Sequence, residues 1–204
     1  MGTDTPPQAG PEAGDYPEQT QRIVSLLVAK GVITRDEISA AMAQQAATGP
    51  ENGARLVARA WTDGAFRELL LSDAKAACAQ LGIDASGIAR FDVLENTPSR
   101  HHIVVCTLCS CYPRTVLGLP PAWYKSDEYR ARVVREPRTV LAEFGTRLPS
   151  DVEVIVVDST ADRRFMVLPV RPDGTEGRDR DELEALVTRD SLIGVGLPRT
   201  SAAT

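Results

Sequence analysis

Three of the four cysteines of this chain lie within six positions, as Cys106, Cys109 and Cys111 in the stretch VCTLCSCY. Thiolates are good ligands for borderline or soft transition ions and poor ligands for Mg²⁺ or Ca²⁺. Three thiolates so close in sequence can bind one ion only if the intervening backbone folds tightly around it, which brings main-chain atoms near the metal. The spacing therefore predicts a thiolate site completed by main-chain atoms, water or a substrate.

The remaining cysteine and the two histidines are weaker metal-ligand candidates. A zinc knuckle needs a second ligand pair a dozen or more residues away, and the sequence offers none. Cys78 lies on an apolar helical stripe, which predicts a buried core residue. His101 and His102 are neighbours on a predicted strand, so at most one can face the cysteine loop, and hydrogen-bonded strand-end positions are the preferred interpretation. Three reduced thiols without a metal are the alternative to the metal site.

Length and composition limit the classes of protein to consider. The 204 residues, 43% of them hydrophobic, suffice for one main domain with an additional arm. A net charge of -5, with no clustering of Lys and Arg, argues against nucleic-acid binding. No apolar run approaches the roughly 18 residues that a membrane span requires, and the amino terminus has no secretion signal pattern. We therefore expect a cytoplasmic protein that binds neither nucleic acid nor membrane.

The first part of the chain is predicted to be helical. Residues 1–16 are rich in Pro, Gly and acidic side chains and are predicted to form a disordered tail. Short segments of helical periodicity fill residues 17–85, and Thr34 with Glu37 forms a capping box at one helix start. Several of these helices are too short to be stable alone. Their apolar stripes must pack either on a partner protein or on the chain itself.

The second part of the chain combines strands and helices. We predict helices that begin at Ser126 and Pro137, and a last helix over Asp179–Thr188. The predicted strands, of which the last two are expected to pair with each other, are Phe91–Glu95, His102–Val105, Val152–Val157 and Phe165–Leu168. Strands and helices cluster instead of alternating strictly, so the prediction is an α+β fold: a helical N-terminal arm followed by a layered α-β-β-α sandwich.

The motifs around the cysteines resemble the α subunit of nitrile hydratase, whose fold and cysteine loop also occur in the catalytic γ subunit of thiocyanate hydrolase. Besides VCTLCSCY, the similar motifs are VLGLPPAWYK at 116–125 and YRARVVREPR at 129–138. The resemblance extends from about Arg22 to Val195. It implies that residues 17–85 contact a β subunit, either one chain or split into two, and that residues 86–200 form the metal-binding catalytic domain.

The resemblance also implies a metal and its ligands. Cys106, Cys109 and Cys111 supply the sulfurs, and the main-chain nitrogens of Ser110 and Cys111 supply two further ligands. Thr at position 107 and Tyr at position 112 mark the cobalt type, which implies low-spin, non-corrin Co(III), with Fe(III) as the alternative. In the family the second and third cysteines are oxidised, so Cys109 is expected to be a sulfinate and Cys111 a sulfenate.

The reaction implied by the resemblance is hydration of a nitrile to an amide. The sulfenate oxygen of Cys111 would act as nucleophile or general base, and Ser110 would orient the loop. In the family the oxidised sulfurs accept hydrogen bonds from donors that include arginines of the β subunit. Arg164 matches an outer-sphere arginine of the α subunit, with Asp162 at the position of its acidic companion. The alternative for Arg164 and Asp162 is a surface ion pair worth less than about 1 kcal/mol.

Arg114 and Thr107 are predicted to line the substrate pocket. Two positions depart from the family pattern, which predicts that this pocket differs from that of other members. Arg114 stands where many members have a tryptophan that lines the pocket, and Gly87 or a neighbour stands where several have a glutamine. One hypothesis is a larger or more polar nitrile, for example a heteroaromatic one. A second is thiocyanate, which the cation of Arg114 could attract, although Arg114 could also simply face solvent. A third is a non-enzymatic metal or redox module with unmodified thiols.

Overall fold

The computed structural model of the chain describes residues 16–46 and 48–200. Residues 1–15, which carry almost all of the predicted disordered tail, lie outside the described residues. The chain divides into two compact units, of which the first ends at Ala46 and the second begins at Ala47.

The first unit contains helix α1 (Tyr16–Ala29) and helix α2 (Arg35–Ala46). The predicted capping box is confirmed, because the Glu37 amide donates to the Thr34 hydroxyl at 3.1 Å and the Thr34 amide donates to the Glu37 carboxylate at 2.7 Å. Four apolar side chains of this unit are more than half exposed: Ile23, Leu26, Val32 and Met42. The unit therefore presents apolar surface that its own residues do not cover.

The second unit contains the remaining helices, which are α3 (Pro50–Thr62), α4 (Gly64–Ser72), α5 (Ala74–Gln80), α6 (Arg114–Leu117), α7 (Asp127–Arg135), α8 (Pro137–Glu143), α9 (Arg180–Glu184) and α10 (Arg189–Ile193), with a 3₁₀ helix at Ala122–Lys125. The predicted starts of α7 and α8, after Ser126 and at Pro137, are confirmed. Helices α3 to α5, which the sequence pattern grouped with the arm, contribute to the core of this second unit. Within the described ranges, none of the helices is both long and apolar enough to cross a bilayer.

The four described strands are β1 (Arg90–Glu95), β2 (Arg100–Val105), β3 (Glu153–Asp158) and β4 (Arg163–Leu168). They form two parallel pairs, β1 with β4 and β2 with β3. The predicted strand positions are confirmed, but the expected pairing of the last two strands with each other is wrong. Local alternation identifies a strand without identifying its partner, and both late strands pair with strands from much earlier in the chain.

The helices pack on the two strand pairs around the main hydrophobic core of the second unit. Helices α4 and α5 contact β1, α8 contacts β3, and α10 contacts both β2 and β4. Side chains from helices and strands, including Leu56, Ile103, Met166 and Leu192, are fully buried in this core. The predicted α+β class, with helices layered on paired strands, is confirmed.

The carboxy-terminal segment differs from the single helix predicted over Asp179–Thr188. Asp179 caps the short helix α9, and Thr188 caps the separate helix α10 with its own capping box. The predicted helix thus ends earlier, at Glu184, and the N-cap at Thr188 starts a second helix that the sequence pattern did not predict. Helix α10 ends at Gly194, whose φ is +88° and whose Cα lies so close to β2 that an added Cβ would overlap the His102 carbonyl oxygen.

Candidate metal centre

The three clustered cysteines converge on one point of the loop that follows β2. The Sγ atoms of Cys106 and Cys109 are 3.4 Å apart, those of Cys109 and Cys111 are 3.1 Å apart, and all three lie within 4.8 Å of one another. All three are free cysteines. Among the Cys, His and acidic side chains of the described residues, these three cysteines have ligand atoms close enough together to hold one metal ion.

The backbone of the cysteine loop folds tightly around the sulfurs. The Cys109 amide donates to the Cys106 sulfur at 3.3 Å. A peptide group and the thiols therefore share one small volume, as the spacing predicted. A donor set of clustered thiols with adjacent peptide nitrogens suits a transition ion, so these residues fit the metal that the sequence predicts.

Asp158 holds the start of the loop. The Thr107 amide donates to Asp158 Oδ1 at 3.0 Å and the Thr107 hydroxyl donates to Asp158 Oδ2 at 2.5 Å. Asp158 is the last residue of β3 and lies opposite Val105 in the β2–β3 register. Val105 directly precedes Cys106 in the sequence. Parallel pairing of these two strands thus brings the carboxylate to the loop.

Tyr124 holds the end of the loop. Its hydroxyl donates to the Cys111 carbonyl at 3.0 Å, and its side chain is fully buried. The Tyr124 ring lies in an aromatic cluster with Tyr112, Trp123 and Tyr129, at centroid distances of 5.2 to 6.0 Å from it. Close aromatic packing fixes the Tyr124 side chain, so the carbonyl at the end of the loop has a rigid donor.

Arg130 contacts the middle of the loop. Its Nη1 atom donates to the Cys109 carbonyl at 3.1 Å, and its other terminal nitrogen pairs with Asp127 at the start of α7. Sequence reasoning did not identify Arg130, Asp158 or Tyr124 as site residues. Arg130 and Tyr124 lie within the motifs that carry the family resemblance, and those motifs are the signal that could have pointed to them.

A cavity of about 440 Å³ opens beside the cysteine loop. It is lined by Gly87, Ile88, Cys109, Ser110, Cys111, Tyr112, Arg114, Thr115 and Arg164. The structure therefore brings together the predicted site residues Cys109, Ser110, Cys111, Arg114 and Arg164 at one wall. Cys106 lies beneath them and is fully buried, whereas Thr107 and Asp162 are not among the lining residues.

Gly87 leaves room in this cavity. A Cβ atom at position 87 would lie 3.2 Å from Thr115 Cγ2, closer than an ordinary van der Waals contact. Any larger side chain at this position would also occupy the space beside the claw formed by Cys106, Cys109 and Cys111. The cavity thus owes part of its volume to Gly87, one of the positions where the resemblance placed the missing glutamine.

Three polar atoms at the cavity residues are buried and have no hydrogen-bond partner within the described chain: Arg164 Nη1, Thr115 Oγ1 and the Tyr112 hydroxyl. A buried polar group without a partner costs roughly 1–3 kcal/mol, so such groups usually face water, a ligand or a modified side chain. Arg164 lies on β4 next to the buried Phe165. Asp162 is exposed in the turn before β4, where its carbonyl accepts from the Arg90 amide at 3.0 Å.

The thiols of the claw differ in acidity in the absence of metal. Burial raises the pKa of Cys111 to about 12, the neighbouring sulfurs add to the rise, and the nearby Arg164 guanidinium opposes it. Hydrogen bonds from the Cys111 and Cys106 thiols lower the pKa of the exposed Cys109. Without metal, the Cys109 thiol therefore ionises more readily than the Cys111 thiol.

The other sulfur and nitrogen candidates are structural. Cys78 is fully buried on α5, and burial raises the pKa of its thiol to about 11, in agreement with the predicted core position. His101 and His102 are both buried, and the Asn96 side chain bonds to both rings. This agrees with the prediction of hydrogen-bonded strand residues over metal ligands.

Known proteins match this chain over nearly all of its length. The family model described as nitrile hydratase, alpha chain, matches residues 15–196. The low-molecular weight cobalt-containing nitrile hydratase subunit alpha of Rhodococcus rhodochrous is 48% identical over 198 residues, which cover 93% of this chain and 96% of that protein. The thiocyanate hydrolase subunit gamma of Thiobacillus thioparus is 41% identical over 199 residues, covering 92% and 82% respectively.

The fold has the same relatives. The solved structure of a double mutant of Fe-type nitrile hydratase from Comamonas testosteroni superposes with a TM-score of 0.85 at 41% identity, covering 95% of each chain. Sequence and structure thus match the same group of proteins, and that group includes both cobalt-containing and Fe-type members.

Proposed function

Because the chain belongs to the nitrile hydratase α-chain family, we propose that it is the metal-binding catalytic subunit of an enzyme that hydrates a nitrile to the amide. The observation that carries this proposal is the claw itself. Three cysteine sulfurs lie within 4.8 Å of one another, and two of these cysteines form the wall of a cavity large enough for a small organic substrate.

The claw residues are the proposed metal ligands. Cys106, Cys109 and Cys111 would supply three sulfurs, and the main-chain nitrogens of Ser110 and Cys111 would complete the set. A bound trivalent ion would supply the Lewis acidity that makes a cyano carbon susceptible to water. We propose low-spin, non-corrin cobalt, supported by the cobalt-containing relative and by Thr107 and Tyr112, with iron as the alternative because Fe-type relatives also match.

The other proposed roles belong to residues of the cavity wall. Cys111, in its singly oxidised form, would accept a proton from water or attack the cyano carbon through its sulfenate oxygen. Arg164 has a buried Nη1 atom without a partner and would donate to the oxygens of the oxidised sulfurs. Ser110 lies between two ligands and would orient the loop, whereas Asp162 would act on Arg164 from outside the cavity.

A β subunit is the proposed partner, as one chain or as two. Leu108, between the first two claw cysteines, is 89% exposed. This leaves an apolar side chain next to the claw available for contact with another protein. The same reasoning applies separately to the exposed apolar residues of the first unit, so we propose that residues 17–85 contribute to the contact with the partner and that residues 86–200 carry the catalysis.

The proposal is tested by metal analysis and a substrate panel on the assembled complex. Elemental analysis is expected to find cobalt, and intact mass is expected to show added oxygen on the claw cysteines. Neutral nitriles, including a heteroaromatic one, are expected to yield amides. Zinc bound by three unmodified thiols, without turnover of any nitrile, would replace the enzyme with a metal-binding module.

Thiocyanate hydrolysis, which yields carbonyl sulfide and ammonia, is the second candidate. Arg114 is exposed and lines the cavity beside the claw, where its positive charge would attract an anion. The relative from Thiobacillus thioparus is a thiocyanate hydrolase subunit. Turnover of thiocyanate together with inert neutral nitriles would select this second candidate.

A further inference from the structure

Arg130 makes a contact with the cysteine loop that neither the sequence nor the proposed chemistry assigns. Its Nη1 atom donates to the Cys109 carbonyl at 3.1 Å. The side chain is 19% exposed, and its Nε atom is buried without a partner in the described chain. The guanidinium therefore lies against the loop and does not extend into solvent.

The Cys109 carbonyl belongs to the same peptide unit as the Ser110 nitrogen. A peptide unit is planar, so a bond that fixes the position of its oxygen also fixes the direction of its nitrogen. The Ser110 nitrogen is one of the proposed main-chain ligands, so this step rests on the proposed function. The positive charge of Arg130 also suits a peptide unit that would carry negative charge when its nitrogen binds a metal.

Helix α7 places Arg130 at this carbonyl. The Ser126 hydroxyl accepts from the Tyr129 amide at 3.2 Å and caps the helix start. The Tyr129 hydroxyl donates to the Val104 carbonyl at 2.8 Å, two residues before Cys106. Because Tyr129 is bonded to β2, the adjacent backbone of Arg130 is held in a fixed position beside the loop.

The ion pair with Asp127 does not by itself explain Arg130. Asp127 is 94% exposed, and exposed ion pairs contribute little to stability. A guanidinium that only formed this pair would need neither a largely buried side chain nor a bond to the Cys109 carbonyl. Asp127 instead restrains one end of the guanidinium while the other end contacts the loop.

We propose that Arg130 is a positioning residue that orients the Cys109–Ser110 peptide unit for metal binding. Loss of a residue that orients metal ligands typically lowers metal affinity by about 10–100-fold. The planar guanidinium can contact the carbonyl and Asp127 at once, whereas a lysine can donate to the carbonyl but reproduces this fork poorly. A graded effect is therefore expected, with Lys between Arg and Gln.

The test uses the full-length chain from cells grown with cobalt. Arg130→Gln is expected to contain about tenfold less cobalt per chain than the wild type when cobalt in the medium is limiting. It is also expected to shift the visible circular dichroism bands of the sulfur–cobalt centre, and Arg130→Lys is expected to give intermediate values. The matched controls are Asp127→Asn, which removes only the ion pair, and Arg135→Gln, which removes an exposed arginine of the same helix that bonds to the Ala131 carbonyl. Arg135→Gln is expected to behave as the wild type. Asp127→Asn leaves the bond from Arg130 to the Cys109 carbonyl in place and is expected to contain more cobalt than Arg130→Gln.

Two outcomes separate this inference from the proposed function. A wild-type chain that binds neither cobalt nor iron would overturn the metal centre and the inference with it. A wild-type chain that binds cobalt, with an Arg130→Gln variant of equal cobalt content and unchanged bands, would overturn the role of Arg130 alone. Band positions do not depend on the amount of folded protein, so a lower yield of the variant would not hide either result.

Discussion

At the level of single residues, the cysteine loop is held at both ends by side chains from distant elements. Asp158 accepts two hydrogen bonds from Thr107, and Tyr124 donates one to the Cys111 carbonyl. These bonds are formed within the chain itself and restrain the loop around the sulfurs. When a site is already ordered before its ligand binds, the free-energy cost of ordering it on binding is smaller.

The claw was predictable from sequence, but its supports were not. The three cysteines are local in sequence, so their spacing alone indicates a metal site. Asp158, Tyr124 and Arg130 come from β3, the 3₁₀ helix and α7, and no spacing rule connects them to the claw. Only the folded chain shows that all three residues form hydrogen bonds to the cysteine loop.

Removing the charge of Arg114 is predicted to distinguish anionic from neutral substrates. Because Arg114 lines the cavity, Arg114→Gln should lower kcat/KM for thiocyanate or a carboxylate-bearing nitrile by about tenfold, in line with the loss of one partly solvated charge-assisted bond. Turnover of a neutral nitrile should change by less than about twofold, since an uncharged substrate gains little from the cation.

Steady-state kinetics on both substrate types would measure this effect. Arg135→Gln serves as the control, because it removes an equal charge from α7 without touching the cavity lining. Equal losses for charged and neutral substrates would show that Arg114 has no role in recognising charge.

His101 is predicted to make stability depend on pH. Burial lowers the pKa of His101 from its ordinary value of 6.5, and its hydrogen bond to the Gly194 carbonyl only partly offsets this effect. The unfolded chain therefore binds a proton before the folded chain does as the pH falls. The free energy of unfolding should be highest above pH 6.5 and should decrease as the pH falls from 6.5 towards the lowered pKa of the folded state.

Urea unfolding between pH 7.5 and 5.5 would measure this decrease, which can reach about 1.4 kcal/mol per pH unit for each histidine. Burial also lowers the pKa of His102, the second histidine of the chain. His101→Gln should therefore reduce the slope without abolishing it. A slope that stays the same in His101→Gln would assign the whole effect to other groups.

At the level of elements, the strand partners explain how the loop reaches its place. The β2–β3 register sets Val105 opposite Asp158, and β4 carries Arg164 to the cavity beside the claw. Sequence patterns located the four described strands, β1 to β4, because alternation is a local property. They could not assign the partners, because parallel pairing joins strands that are far apart along the chain.

Helix α10 approaches β2 so closely that Gly194 is predicted to be irreplaceable. Gly194 and Gly145 both have positive φ, at +88° and +80°. Only Gly194 lies where a Cβ would overlap the β2 backbone, whereas nothing lies within 4 Å of a Cβ at Gly145. Gly145→Ala should cost about 1–2 kcal/mol for its backbone conformation alone. Gly194→Ala should cost more than about 3 kcal/mol, because the steric overlap adds to the backbone strain.

Free energies of unfolding in urea would compare the two variants. Because both carry the same substitution at similar φ, their difference isolates the close approach of α10 to β2. Similar losses in the two variants would show that β2 can move away from α10 at little cost.

At the level of the whole molecule, the chain consists of a large unit with the claw and a smaller helical unit. The sequence pattern placed an arm over residues 17–85, and the structure divides the compact units after Ala46. Helical periodicity marks both groups of helices in the same way, so it cannot tell which helices pack into the core. The contact between this region and a partner stays a prediction.

The exposed residues of α1 are predicted to bind the partner. Ile23 and Leu26 are 58% and 61% exposed, and burying such a side chain contributes about 1.5–3 kcal/mol. The double variant Ile23→Gln and Leu26→Gln should reduce copurification of the β subunit by at least about tenfold, since roughly 3 kcal/mol would be lost. Far-ultraviolet circular dichroism of the chain should stay the same.

The matched control is the double variant Ile23→Val and Leu26→Met, which changes the same positions but keeps them apolar. Copurification should then stay near the wild-type level. Equal copurification of both double variants would exclude α1 from the contact with the partner.

The pairing of Val105 with Asp158 also sets an order of events during synthesis. The ribosome completes the claw cysteines well before it reaches Asp158, so the thiols leave the exit tunnel without the carboxylate that later holds Thr107. Non-local strand pairing is a slow step of folding because a long loop must close first. Metal insertion should therefore follow translation of β3, and refolding in vitro should need a reductant until that strand has docked.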